Sequence, residues 1–208
     1  MPHFELNYQV EELELKQPFS IARGTKDTVR NVFVRLTADG ITGYGEASPN
    51  KRYDESAETV IQAVQQLDAD FFDTIETPDT ISRKLSLVRA DVHSAAAMLE
   101  MAWLDWWAKS RNKPLWELWD APSNRTPSTT FTIGLDKIGV IQQKVQEATQ
   151  YPILKVKLGT DRDRKIIKAI REITDKPIRV DANEGWGSLD QATEQISFFA
   201  DQTLELIE

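Results

Sequence analysis

Four charged side chains in the second half of the chain have types and spacing that could do chemistry. The run "ILKVKLGTD", residues 153–161, reads as a buried strand, yet it carries Lys155 and Lys157. Two residues apart in a strand, both ammoniums point to the same face. Asp181 ends the apolar run "PIRVD", and Glu208 ends "TLELIE". The spacing is 24 residues from Lys157 to Asp181 and 27 from Asp181 to Glu208, close to one strand-helix repeat each. Two carboxylates without nearby histidine or cysteine suit a hard cation with oxygen ligands, Mg²⁺ before Zn²⁺. Paired ammoniums lower each other's pKa, because a second positive charge disfavours protonation. A lysine brought toward neutrality can act as a general base. Beside a divalent ion it can remove a proton α to a carboxylate while the metal holds the developing enediolate. Asn183 and Glu184, just past Asp181, are read as loop or supporting groups, with Glu184 the reserve ligand. Taken singly, a Lys-x-Lys pair is an ordinary solvated strand face and a strand-end aspartate an ordinary cap. Their joint spacing carries the reading.

The elements that must position these groups repeat regularly. From residue 129 onward the pattern alternates strand and helix: "TTFTIGL", "KIGVIQQKVQEATQ", "PILKVKLG", "RDRKIIKAIREIT", "PIRVDAN", "SLDQATEQISFFAD", "TLELIE". Such alternation means a parallel sheet built from crossover units. Its interval of about 25 residues is typical of a (β/α)₈ barrel, which places its chemistry at the C-terminal ends of the strands. Ile166, Ile170 and Ile173 should share one helix face, and Leu189, Ala192, Ile196 and Phe199 another. Ser188 with Gln191 has the form of a capping box. Four strands and three helices make half a barrel, and half a barrel leaves raw sheet edges. The expectation is therefore a fragment of a chain about 350 residues long, on the usual ~250 residues per barrel.

Upstream, "FELNYQVEELEL", "NVFVRLTAD" and "GITGYGEAS" read as strands, with Asp39-Gly40 signalling a hairpin turn. Helices follow in "DESAETVIQAVQQL", starting from an Asp54 cap, in "TISRKLSLVRA" after Pro78, and in "DVHSAAAMLEMAWLDWWAKS". In the last of these Val92, Ala96, Leu99, Trp103 and Trp106 form a core stripe. It should stop near "RNK", before Pro114. "DAPSNRTPS", 120–128, is the linker candidate. The expected organisation is an α+β domain over 1–120, followed over 121–208 by the first four strands and three helices of a (β/α)₈, TIM-type, barrel.

Bulk properties exclude several classes. Net charge is −8 with no compensating Lys/Arg cluster, so nucleic acid and anionic membrane are not expected partners. There are no cysteines, which removes disulfide, thiolate and cysteine-zinc chemistry. His3 and His93 lie far apart, leaving little for a histidine metal site or a Ser-His-Asp triad. The N-terminus lacks a basic segment followed by an apolar core, so a cytoplasmic enzyme or binding protein is expected. A homo-oligomer stays open.

At the charged residues the sequence resembles the enolase superfamily in its muconate-lactonizing branch. "KVK" looks like the branch's Lys-x-Lys motif, "VDANEGW" like its Asp-Ala-Asn-x-x-Trp motif, and "LIE" like the start of its Glu-Gln/Glu-Pro motif. "SAAAMLEMAWLDWWAKSRNKPLWELW" is similar to its long helix before the barrel, and residues 1–120 to its α+β capping domain. Within the branch, "PFSIARGTKDTVRNV" and "GEASPNKRYDES" resemble the two substrate-covering loops of dipeptide epimerases of the L-Ala-D/L-Glu type. The resemblance implies Mg²⁺ on Asp181 and Glu208, with Lys157 and Lys155 as the catalytic pair and Asn183 supporting them. It implies a dipeptide substrate, met by Arg23, Arg52 and Tyr53, with Arg23 reading an acidic side chain; an exposed loop charge is the other reading of Arg23. A third metal ligand, an opposing lysine and an Asp-x-Asp would lie beyond Glu208. An o-succinylbenzoate synthase or muconate cycloisomerase shares both visible motifs, and a non-catalytic half-barrel that binds a partner is the remaining alternative.

Overall fold

A computed structural model describes residues 2–122 and 125–208, with the side chain of Leu87 outside the description. Ser123 and Asn124 of the expected linker, and Met1, also lie outside it. The described chain gathers in two compact units: one runs to Glu14 and resumes over Thr28–Arg125, the other combines Leu15–Asp27 with Thr126–Glu208.

The strands β1 (Glu5–Ile21), β2 (Gly24–Ala38) and β3 (Ile41–Ala47) form a sheet in the order β1-β2-β3, which belongs to the first unit except for the Leu15–Asp27 end of β1 and β2. Val32, Val34, Leu36 and Ala38 alternate inward along β2. Asp39 and Gly40 take φ of 51° and 74°, the left-handed values a two-residue hairpin turn needs, and Ala38 pairs with Ile41. The helices are α1 (Ala57–Gln65), α2 (Pro78–Lys84), α3 (Ser86–Asp91), α4 (His93–Ser110) and α5 (Leu115–Leu118). The expected stripe on α4 is buried, and Trp106 Nε1 donates to Ala38 O at 3.1 Å. The backbone of α4 rests directly on β3. A Cβ at Gly43 or Gly45 would lie 2.0 Å from the carbonyl oxygens of Ala102 and Met98.

Two helix starts differ from the sequence reading. The cap of α1 is Ser56, in a reciprocal box with Thr59, and not Asp54. Asp54 instead turns left-handed, at φ 56°, to end the 3₁₀ turn Lys51–Tyr53. The single helix expected after Pro78 is two short ones meeting at Leu85, with Pro78 in the first turn behind a Thr77 cap.

The second unit alternates β4 (Thr130–Ile133), α6 (Ile138–Glu147), β5 (Ile153–Lys157), α7 (Asp163–Arg171), β6 (Ile178–Asp181), α8 (Leu189–Ala200) and β7 (Leu204–Ile207). The strands pair in parallel in the order β4-β5-β6-β7. Ile133, Leu154, Val156, Ile178 and Val180 bury one sheet face with Ile166, Ile167, Ile170 and Phe199 of the helices. Ile167 is buried beside the expected Ile166 and Ile170, whereas Ile173 is exposed, because α7 ends at Arg171. On α8 only Phe199 of the expected stripe is buried; Leu189, its first helical residue, is 81% exposed. Ser188 caps Gln191 N–H, while the Gln191 side chain accepts from Gly187 N–H, so half of the expected box forms.

The segment "PFSIARGTKDTVRNV" is not an open loop. Its residues continue β1 and β2 around an Ala22-Arg23 turn, and Leu135 N–H donates to Ser20 O at 2.9 Å. Among the described residues no helix is long and apolar enough to cross a membrane.

Candidate functional site

Strand alternation explains the two lysines. Leu154 and Val156 of β5 are buried in the apolar core, so Lys155 and Lys157 stand on the opposite face. The register sets Lys157 against Asp181. Glu208 follows β7 and brackets the end of β6: its N–H donates to Val180 O at 2.9 Å and its carbonyl accepts from Ala182 N–H at 3.0 Å. All four side chains therefore meet at the C-terminal ends of three adjacent strands. Lys157 Nζ lies 2.6 Å from Asp181 Oδ2, and Lys155 Nζ lies 3.0 Å from the same oxygen and 2.5 Å from Glu208 Oε2.

The electrostatics are set by these contacts. Burial alone would raise the Asp181 carboxyl, but hydrogen bonds from Lys157, Lys155 and Asn183 N–H outweigh it and hold the pKa at about 2. Asp181 is thus ionised at neutral pH although nearly buried. The Lys155 pKa is raised by its hydrogen bond to Glu208, with burial opposing and Asp181 adding to the rise. For Lys155 this corrects the expectation that the pair drags it toward neutrality: two carboxylates outweigh one neighbouring ammonium.

Carboxylate oxygens of Asp181 and Glu208 both lie against Lys155 Nζ, and oxygen donors of this kind suit a divalent oxygen-seeking ion. Among the described residues no group of three or more His, Cys, Asp or Glu gathers at one metal-like point. Asn183 donates its N–H to Asp181 Oδ1 at 2.9 Å, and its own buried Oδ1 has no hydrogen-bond partner among the described residues. Glu184, read as a reserve ligand, is engaged elsewhere: its Oε1 is 3.0 Å from Arg23 Nη1. Arg52 and Tyr53 belong to the first unit, in the 3₁₀ turn, where the Tyr53 ring meets His93 edge-on at 6.4 Å.

Sequence reasoning missed Asp163. It is 1% exposed and accepts four hydrogen bonds, from Gly159 N–H, Thr160 N–H, Thr160 Oγ1 and Trp186 Nε1, at 2.8–2.9 Å. One carboxylate thereby ties the loop after Lys157 to the loop after Asp181. The two loops touch along their backbones, since a Cβ at Gly185 would lie 2.5 Å from Gly159 Cα. The available signal was an acid in the first turn of a helix opening just after Gly159-Thr160, where carboxylates meet unpaired N–H groups. Asp163→Asn puts an amide NH₂ against at least one N–H donor. We expect a loss of about 2–4 kcal/mol, since hydrogen bonds to a buried charge are the strong ones, read from the denaturant midpoint. An unchanged midpoint would show that the charge is not holding the loops.

Comparison with known proteins extends this picture. Residues 5–119 match the family described as mandelate racemase / muconate lactonizing enzyme, N-terminal domain. The chain belongs to the mandelate racemase / muconate lactonizing enzyme family. It is 37% identical to an L-Ala-D/L-Glu epimerase of Bacteroides thetaiotaomicron over 199 residues, covering 95% of this chain and 52% of that protein. An L-Ala-D/L-amino acid epimerase of Flavobacterium johnsoniae is 36% identical, with 84% of this chain and 52% of that protein covered. Among solved structures, a dipeptide epimerase of Enterococcus faecalis complexed with Mg and L-Leu-L-Tyr superposes at a TM-score of 0.85. It has 27% identity, over all of this chain and 60% of that one. An enolase family member from Agrobacterium tumefaciens, with bound sodium and L-Ala-L-Glu, gives 0.86 at 26% identity, over 98% and 61%. The chain spans about half the length of the curated relatives it matches (52% of each of the first two). Its architecture is the family's: an α+β capping domain followed by the first half of a (β/α)₈ barrel.

Proposed function

We propose that the full protein epimerises a dipeptide, Ala-Glu or a related one, by moving a proton at the α-carbon, with Mg²⁺ as cofactor. The observation that carries this reading is the junction of Lys155, Lys157, Asp181 and Glu208 at one set of strand ends, through contacts of 2.5–3.0 Å. Relatives named as L-Ala-D/L-Glu and L-Ala-D/L-amino acid epimerases, and a dipeptide epimerase structure complexed with Mg and a dipeptide, support the substrate class and the metal.

In this proposal Asp181 and Glu208 hold the ion. Bound there, Mg²⁺ would supply positive charge against the negative charge that develops on the substrate as the α-proton leaves. Lys157 carries the proton on one face of the α-carbon. Lys155, kept charged by Glu208 and Asp181, steadies the two carboxylates and lends its own charge to the substrate carboxylate. Asn183 holds Asp181 in place through its N–H. Arg23, Arg52 and Tyr53 are proposed to contact the dipeptide.

The test is deuterium incorporation at the α-carbon of the second residue of L-Ala-L-Glu, followed by NMR in D₂O with the full-length protein. Exchange and appearance of the D-epimer are expected with Mg²⁺, loss in excess chelator, and recovery when Mg²⁺ is restored. Full activity in excess chelator would sink the metal assignment, and absence of exchange from any dipeptide would sink the substrate class.

A further inference from the structure

The Arg23–Glu184 contact joins residues 161 apart in sequence at the place where specificity would be decided. Three observations put it there. The Ala22-Arg23 turn lies on the loops that follow the lysine and aspartate strands: a Cβ at Gly159 would sit 3.0 Å from Ala22 Cβ and 2.2 Å from Ala182 O. Glu184 is reached through two successive left-handed non-glycine residues, Asn183 at φ 49° and Glu184 itself at φ 63°. That backbone is disfavoured for residues with a Cβ and clusters at functional loops. Third, the cations Arg23, Lys155 and Lys157 are matched by the contacts of Asp181, Glu208 and Glu184.

We propose that Glu184 is a specificity-determining residue: by pairing with Arg23 it cancels much of the guanidinium's pull on an acidic side chain, so that dipeptides with neutral second residues are accepted alongside acidic ones. The inference rests on the dipeptide reading above and on Arg23 facing the second side chain. A bare guanidinium would hold a substrate carboxylate through charge-assisted hydrogen bonds. Here a carboxylate arriving at Arg23 meets an oxygen already 3.0 Å from Nη1, and must share or displace a like charge. The side chains of the pair are 41% and 62% exposed, so its hold is modest. Glu184 therefore tunes the choice without blocking it. Neutral second residues do not meet this competition, and their turnover is indifferent to the Glu184 charge.

The experiment compares kcat/KM for L-Ala-L-Glu and L-Ala-L-Gln, which differ in charge and hardly in shape, in the full-length protein. In wild type the two values are expected within about threefold of each other, as a neutralised selector implies. Glu184→Gln and Glu184→Ala should each raise the Glu/Gln ratio about tenfold, the scale of one like charge removed at near-surface contact. They should do so through Ala-Glu, leaving Ala-Gln within about twofold. Arg23→Met should abolish the ratio change on adding Glu184→Gln, because the two residues act as one unit. An unchanged ratio in both Glu184 variants overturns the proposal. So does a fallen ratio, which would mean that Glu184 orients Arg23 for the acid. A ratio change that persists in the Arg23→Met background overturns it as well. Absence of exchange from every dipeptide in wild type removes the dipeptide reading, and the inference with it, whereas exchange with an unmoved ratio removes the inference alone.

Discussion

Lys157→Ala is expected to abolish α-proton exchange from one epimer of the substrate and to spare the other. Lys157 Nζ is held 2.6 Å from Asp181 Oδ2 and its side chain is only 11% exposed, so the ammonium has a fixed direction from which to approach an α-carbon. A positioned acid-base group is worth about 10²–10⁴ in rate, and the loss from the affected epimer should fall in that range. In the proposed mechanism an opposing lysine, implied by the family resemblance, would work from the other face, so washout from the other epimer in single-turnover D₂O exchange is expected to continue. Folding is a weak explanation for any loss, because Asp181 keeps its bonds to Lys155 and Asn183 N–H. Lys157→Arg separates charge from proton transfer. Arginine can preserve an ion pair with Asp181 but does not give up its proton, so it should be as inactive as alanine on the affected epimer. Equal, near-wild-type exchange from both epimers would remove Lys157 from the mechanism.

What was legible in the sequence was what depends on period. The two-residue period of β5 put both lysines on one face, and the strand-helix repeat put Asp181 and Glu208 beside them; the register pairing Lys157 with Asp181 follows from that repeat. The stripe on α4 was legible for the same reason. What escaped depends on contacts with no period. The Arg23–Glu184 pair spans 161 residues. The β1–β2 hairpin end groups with the second unit because of bonds such as Leu135 N–H to Ser20 O, which no local pattern announces. Asp163 has the sequence context of any acid in a first helical turn, and its four donors come from two separate loops. The direction of the Lys155 shift escaped because a like-charge pair was visible in the strand, whereas the carboxylates that reverse the shift arrive from two other strands. Ile173 and Leu189 fit their helical periods, but the first lies past the end of α7 and the second at the open start of α8.

Asp181→Asn should be nearly as damaging as loss of the metal itself. The substitution keeps the shape and removes the charge, and two consequences follow. As a ligand, the neutral amide offers one weaker oxygen where a hard divalent ion favours carboxylate. As a neighbour, it can no longer balance Lys155 and Lys157, which lie 3.0 and 2.6 Å from Oδ2. Its NH₂ must also face either those two ammoniums or the Asn183 N–H now bound to Oδ1, so one donor meets another wherever the amide turns. A single well-placed charge-stabilising group is worth about 10²–10³ in rate, and here charge and geometry fail together. Exchange from both epimers should therefore fall by at least that factor, in contrast to the one-sided loss in Lys157→Ala. Titration calorimetry with Mg²⁺ alone provides a readout that does not depend on turnover, and binding should weaken at least tenfold, the equivalent of about 1.4 kcal/mol. Wild-type Mg²⁺ affinity in a folded Asp181→Asn protein would move the metal off this strand. Preserved affinity with lost exchange would leave Asp181 as the counter-charge of the lysines only, and the ion would then have to be held by other residues.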